Sequence, residues 1–102
     1  IGDRRGEGNA LGNIGTAYFQ LGDARRAIGY YQKRLKIARE IGDIIGVATD
    51  SLNMALAYVR QGERSRALHL AQEAAQAFDQ IGRAKDAQRA RQLASQLRAM
   101  RR

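Results

Sequence analysis

The one histidine of the chain, His69, stands four residues before Glu73, a spacing that puts both side chains on one face of a helix. An imidazole and a carboxylate one turn apart can serve as an acid–base pair or as two metal ligands. A metal site needs three or four ligands, and there is neither a second histidine nor a cysteine to complete it. The pair reads as an exposed helix contact. Ser51, Ser65 and Ser95 have no histidine at a matching position and no loop to form an oxyanion hole, so no base activates them as nucleophiles. Gly6, Gly8, Gly12 and Gly15 invite comparison with a phosphate-binding loop, but no strand precedes them and no Gly-Lys-Ser/Thr follows. Gly15 reads as close helix packing, Gly6 and Gly8 as a frayed first turn, and Gly12 has no assignment. Asp3, Glu7, Asp43, Asp50 and Asp86 fall mostly in first turns of helices, where a carboxylate meets the positive end of the dipole, so capping accounts for them. The expectation is a protein that is not an enzyme and uses no cofactor and no metal.

The elements that carry these residues announce themselves through glycine. Gly2, Gly22, Gly42, Gly62 and Gly82 recur every twenty residues, with Asp3, Asp23 and Asp43 directly after the first three. Glycine just past a helix accepts the left-handed conformation that ends it, and the aspartate caps the next one. With no proline anywhere and Ala, Leu, Gln and Arg filling the intervals, five helices of about 15–17 residues are expected, near 5–20, 24–40, 44–60, 64–80 and 84–100. A stronger period is forty. Residues 1–40 and 41–80 align without gaps and share Gly6/Gly46, Asn13/Asn53, Ala17-Tyr18/Ala57-Tyr58, Arg26-Ala27/Arg66-Ala67 and Gln32/Gln72. This is a repeated helical hairpin. Residues 81–102 add a third first helix, with Ala90, Leu93, Ala94, Leu97 and Met100 on one stripe and charge elsewhere, which suits a terminal cap.

At 102 residues the chain makes a single domain. Without cysteine it has no disulfide framework or thiolate chemistry. No apolar run approaches about 18 residues and no leader opens the chain, so no membrane span is expected and a cytoplasmic location is the default. The chain begins at Ile1, which reads as a piece of a longer array. Lys and Arg outnumber Asp and Glu by 18 to 10, a net charge of +8. The excess sits at the ends: residues 1–40 hold eight basic and four acidic groups, 41–80 three and five, and 81–102 seven and one. Aromatic residues are not interleaved with the basic groups of the last segment, which argues against single-strand nucleic-acid recognition.

Leu11, Ile14-Gly15 and Tyr18, followed by Ala27 and Tyr31, have the spacing of the tetratricopeptide pattern, and the chain resembles a member of that family. The second repeat matches through Met54-Ala55, Tyr58, Ala67 and Ala71. The forty-residue unit, with stretches such as Leu-Gly-Asp, looks most like the subclass found in kinesin light chains, spindle-orientation adaptors and bacterial regulators. Gly29 and Arg34 depart from the pattern, Arg34 standing where the family usually has alanine.

The resemblance implies an all-α solenoid of antiparallel hairpins, two repeats (1–40 and 41–80) and a capping helix (81–102), wound as a right-handed superhelix. It also implies a concave groove lined by first-helix side chains. These are Asn9, Asn13, Thr16, Phe19 and Gln20 in the first repeat, Thr49, Leu52, Asn53, Leu56, Val59 and Arg60 in the second, and Arg89, Gln92 and Gln96 in the cap. Asparagine is unfavourable in mid-helix, so its recurrence at Asn13 and Asn53 points to a polar task, either bonding a peptide backbone or bonding an adjacent helix. The expected function is a scaffold that binds a protein or peptide, with Arg60 and Arg89 favouring acidic side chains. The alternatives are a regulatory segment of a larger signalling protein and nucleic-acid binding through the basic ends. Only the C-terminal end carries a polar cap, so the first helix is expected either to self-associate or to pair with a preceding repeat.

Overall fold

A computed structural model describes residues 3–100. Gly2, the first of the periodic glycines, and Arg101 and Arg102 of the basic cap lie outside the described residues. Five helices occupy almost all of the rest: α1 (Arg4–Gln20), α2 (Ala24–Ile41), α3 (Ile44–Arg60), α4 (Arg64–Gln80) and α5 (Ala84–Ala99). There is no strand among the described residues.

The turns are made as the glycine period predicts. Gly22, Gly42, Gly62 and Gly82 have φ between 72° and 86°, a region closed to most side chains. At each of them the chain folds back onto the helix it leaves: Asp23 N–H donates to the Tyr18 carbonyl at 2.8 Å, and Asp43, Glu63 and Arg83 repeat the bond to Ala38, Tyr58 and Phe78. Asp3, Asp23 and Asp43 then cap the next helix, their carboxylates accepting from the backbone N–H of Gly6, Arg26 and Gly46 at 3.0–3.1 Å. Gly6 therefore sits beneath a cap, where a side chain would strike the Asp3 carboxylate, and the first turn is not frayed at that point. Glu63 and Arg83 occupy the same place before α4 and α5 without a side-chain cap bond.

Each helix packs on the next in sequence, so the molecule is a slab of 48 × 31 × 17 Å. Ala27, Ile28, Tyr31 and Leu35 of α2 share one core with Met54, Ala55 and Tyr58 of α3 and with residues of α4 and α5. A second core joins Ala48 of α3, Ala74 and Phe78 of α4, and Ala87 and Ala90 of α5. Within the first hairpin, Gly15 lets the Tyr31 ring lie against α1: a Cβ there would be 3.0 Å from the ring and 3.3 Å from the Ala27 carbonyl oxygen. No helix of the described residues is long and apolar enough to cross a membrane.

Candidate functional site

Asn9, Asn13 and Thr16 follow one another at spacings of four and three along α1, and Thr49 and Asn53 at four along α3, so each set lies on one helix face. The fold brings the two faces together around a cavity of about 370 Å³, which these five residues line with Gly12, Tyr31, Arg34 and Asp50. Thr16 Oγ1 and the Tyr31 hydroxyl are hydrogen-bonded at 2.9 Å, which holds the threonine toward α2. Among the described residues, neither the Asn13 nor the Asn53 side chain has a hydrogen-bond partner, so the bond to an adjacent helix weighed from the sequence is not made.

The floor of this cavity comes from residues that sequence reasoning assigned elsewhere. Arg34 reaches from α2 between the two faces and donates from Nη1 to Asp50 Oδ1 and from Nη2 to Asn9 Oδ1, both at 2.9 Å. Asp50 is the seventh residue of α3, past the first turn, and is 1% exposed. Its role is an ion pair between helices, which corrects the capping assignment. Burial pushes its carboxyl up to about 6, against Arg34, whose hydrogen bond and positive charge pull the other way.

Two glycines lie beside Arg34, within ordinary contact of it, and Gly8 is tighter against Ile37. A Cβ at Gly12 would lie 3.6 Å from the methylene stem of Arg34, and one at Gly8 would lie 3.3 Å from Ile37 and 3.6 Å from the guanidinium. One repeat later, Gly8, Gly12 and Arg34 correspond to Ala48, Leu52 and Ala74. Where the second hairpin sets a leucine against an alanine, the first sets a glycine against an arginine. Asp50 corresponds to Ala90 of α5, so the ion pair belongs to the first junction alone.

The other expected groove residues divide. Phe19 is half-buried with the Arg60 guanidinium 4.5 Å over its ring, and Leu56 and Val59, each 40% exposed, extend an apolar strip on α3. Gln20 is exposed at the end of α1. Leu52 is half-buried against the second core, so it serves packing more than the groove. Arg89, Gln92 and Gln96 are exposed on α5 and do not line the cavity. The basic groups of α5 are partly answered: Arg91 pairs with Asp79 at 2.7 Å, and Arg83 and Arg89 both lie 3.7 Å from Asp86.

Away from the groove, His69 and Glu73 approach to 4.0 Å on α4, but Glu73 also pairs with Arg39 of α2. No group of three or more histidine, aspartate or glutamate side chains that could hold a metal ion occurs among the described residues.

A family model for the tetratricopeptide repeat, a unit that generally mediates contacts between proteins, matches residues 6–80. No curated protein matches the chain. The family match runs from the first turn of α1 to the end of α4, so it takes in both hairpins and the junction that Arg34 and Asp50 form, and the chain belongs to the tetratricopeptide repeat family.

Proposed function

We propose that the chain is a non-catalytic interaction module that holds an extended segment of a partner protein in the groove between α1 and α3. The observation that carries this reading is the pair Asn13 and Asn53, equivalent by repeat, lining one cavity with their amides unengaged. An amide donates and accepts at once, and so matches the alternating N–H and C=O of a peptide backbone. The apolar strip of Phe19, Leu56 and Val59 adds contact area beside these polar groups, and Arg60 brings positive charge for an acidic side chain of the partner.

Selection from a peptide library on the parent protein and on the Asn13→Ala, Asn53→Ala double variant tests the reading, with helicity checked in each. Peptides selected on the parent should bind the variant about 1–3 kcal/mol more weakly, because two amide bonds buried in the complex are lost. Replacing Arg60 should chiefly slow association and reduce its salt sensitivity. Equal binding by parent and double variant would remove the asparagines from the site.

A further inference from the structure

The face that α2 covers on the second hairpin is open on the first. Met54 and Tyr58 of α3 and Leu70 of α4 are buried in the core they share with α2. Their equivalents in the first repeat are Ile14, Tyr18 and Tyr30, of which Ile14 is exposed and both tyrosines are half-buried, their rings stacked at 5.6 Å. Leu11, half-buried one turn before Ile14, extends the same stripe. The second hairpin therefore shows how a helix lies on this surface, and the polar contacts of α2 show what such a helix must carry.

On the second hairpin the Gln32 amide donates to the Tyr58 hydroxyl at 3.4 Å, Arg34 pairs with Asp50 at 2.9 Å, and Arg39 pairs with Glu73. Of the three residues that receive these contacts, the tyrosine recurs on the first hairpin and the two acids do not: Tyr18 stands for Tyr58, Ala10 for Asp50 and Lys33 for Glu73. Lys33 is exposed, its ammonium 5.4 Å from the Tyr30 ring, and it has no acidic partner among the described residues. A helix with the sequence of α2 would set Arg34 over Ala10 and Arg39 against Lys33, so like charge disfavours it. One helix of this chain has the pattern that fits. At the places of Gln32, Arg34, Leu35 and Arg39, α4 has Gln72, Ala74, Ala75 and Asp79, and Ala74 packs in one core with Ala90 of α5, the equivalent of Ala10. In the chain itself that face of α4 is already taken by α5, with Asp79 paired to Arg91.

We propose that this flank of the first hairpin docks a helix of a partner protein that presents a glutamine and, seven residues on, an acidic side chain, with small or apolar residues between them on the same face. The glutamine amide meets the Tyr18 hydroxyl as Gln32 meets Tyr58, the acid pairs with Lys33, and a small residue lies over Ala10. Leu11, Ile14 and Tyr30 supply the apolar contact. None of these residues lines the cavity between α1 and α3, so the flank and the groove are separate surfaces. The chain alone offers no free helix of this pattern, and without one the flank is left to a second copy.

The probes are two peptides of the α4 sequence, residues 64–80, one unchanged and one with Asp79→Arg. Each is held helical by a side-chain bridge between positions 65 and 69, on the side away from Gln72, Ala75 and Asp79. They are titrated into the ¹⁵N-labelled chain and into its Lys33→Glu variant. The unchanged peptide should bind the parent about fivefold or more tightly than the arginine peptide, since an exposed attraction is exchanged for a repulsion of similar size. The order should invert on Lys33→Glu. Backbone shifts should centre on Leu11, Ile14, Tyr18 and Tyr30, and the unchanged peptide should dissociate any self-associated chain. The comparison of the two peptides on the parent stands whether or not the variant folds. Equal binding of the two peptides, a preference for aspartate that survives in a folded Lys33→Glu variant, shifts centred elsewhere, no binding, or a self-associated chain that the peptide leaves intact would each overturn the inference.

Discussion

Replacing Asp50 by asparagine examines the floor of the groove through the pH dependence of stability. Burial raises the Asp50 carboxyl from 3.8 to about 6, overcoming the hydrogen bond and the charge of Arg34, while the negative charge of Asp43 adds to the rise. Across that window the folded protein keeps a proton that the unfolded chain has released. Proton binding favours the folded state there, so the contribution of Asp50 to stability is greatest below about pH 4 and is lost as the pH climbs through about 6. About two pKa units at about 1.36 kcal/mol each make the loss about 3 kcal/mol. Asp50→Asn keeps the shape of the side chain and removes the titration. Urea unfolding of both proteins from about pH 4 to about pH 8 should show the stability of the variant, minus that of the parent, growing by about 3 kcal/mol as pH rises. Carboxylates common to both proteins cancel in the difference. A flat difference would mean that Asp50 titrates alike in the folded and unfolded chain. A difference that shrinks with rising pH would mean that Arg34 outweighs burial. Either outcome refutes the account of a buried, desolvated floor.

Gly15→Ala places a methyl 3.0 Å from the Tyr31 ring and should cost about 1–3 kcal/mol in urea unfolding, so an unchanged midpoint would contradict the close approach of α1 and α2. Arg34→Ala alone leaves the Asp50 carboxylate buried without its partner and should cost about 3–5 kcal/mol. Adding Asp50→Ala and Gly12→Leu copies the second junction and should recover most of that loss; a triple variant no more stable than the single one would show that the junctions are not interchangeable. Ile14 on α1 is 40% exposed and Leu21, just past its end, 80%, whereas Met54, one repeat after Ile14, is 4% exposed in the core shared with α2. We propose that a second copy covers this flank of α1, so sedimentation should show association that rises with concentration and that Ile14→Glu abolishes. A monomer across a hundredfold concentration range would refute it.

The architecture was legible wherever the chemistry is local. A glycine with positive φ is a signal complete within a few residues; four of them end α1 to α4, and an aspartate caps the next helix after the first two. The close packing at Gly15 was legible because its position belongs to a recurring pattern; that the Tyr31 ring makes the contact was not. The floor of the groove was not. Asp50 and Arg34 are sixteen residues apart on different helices, and nothing near either names the other. Read locally, Asp50 is one more acid near the start of a helix and Gly12 one more glycine in a loose first helix. The available signal lay in comparing repeats position by position. Gly12 against Leu52, Arg34 against Ala74 and Asp50 against Ala90 depart from the repeat together, and they meet in space.

The same comparison bears on why the ion pair is there. Ala74 and Ala90 are fully buried in the second core and need no partners. The first junction desolvates two charges, leaves a carboxylate oxygen without a donor and places Gly8 and Gly12 inside a helix, where each is worse than alanine by about 1 kcal/mol. A buried ion pair can commonly be replaced by apolar residues without loss of stability, and this chain contains the apolar solution one junction later. Stability alone therefore does not account for the first junction. Its unfavourable features converge on the one cavity lined by Asn9, Asn13 and Asn53, while the exposed Arg89, Gln92 and Gln96 of α5 line no part of it. It is this concentration of cost beneath α1 and α3 that assigns the proposed binding to the first junction rather than to the cap.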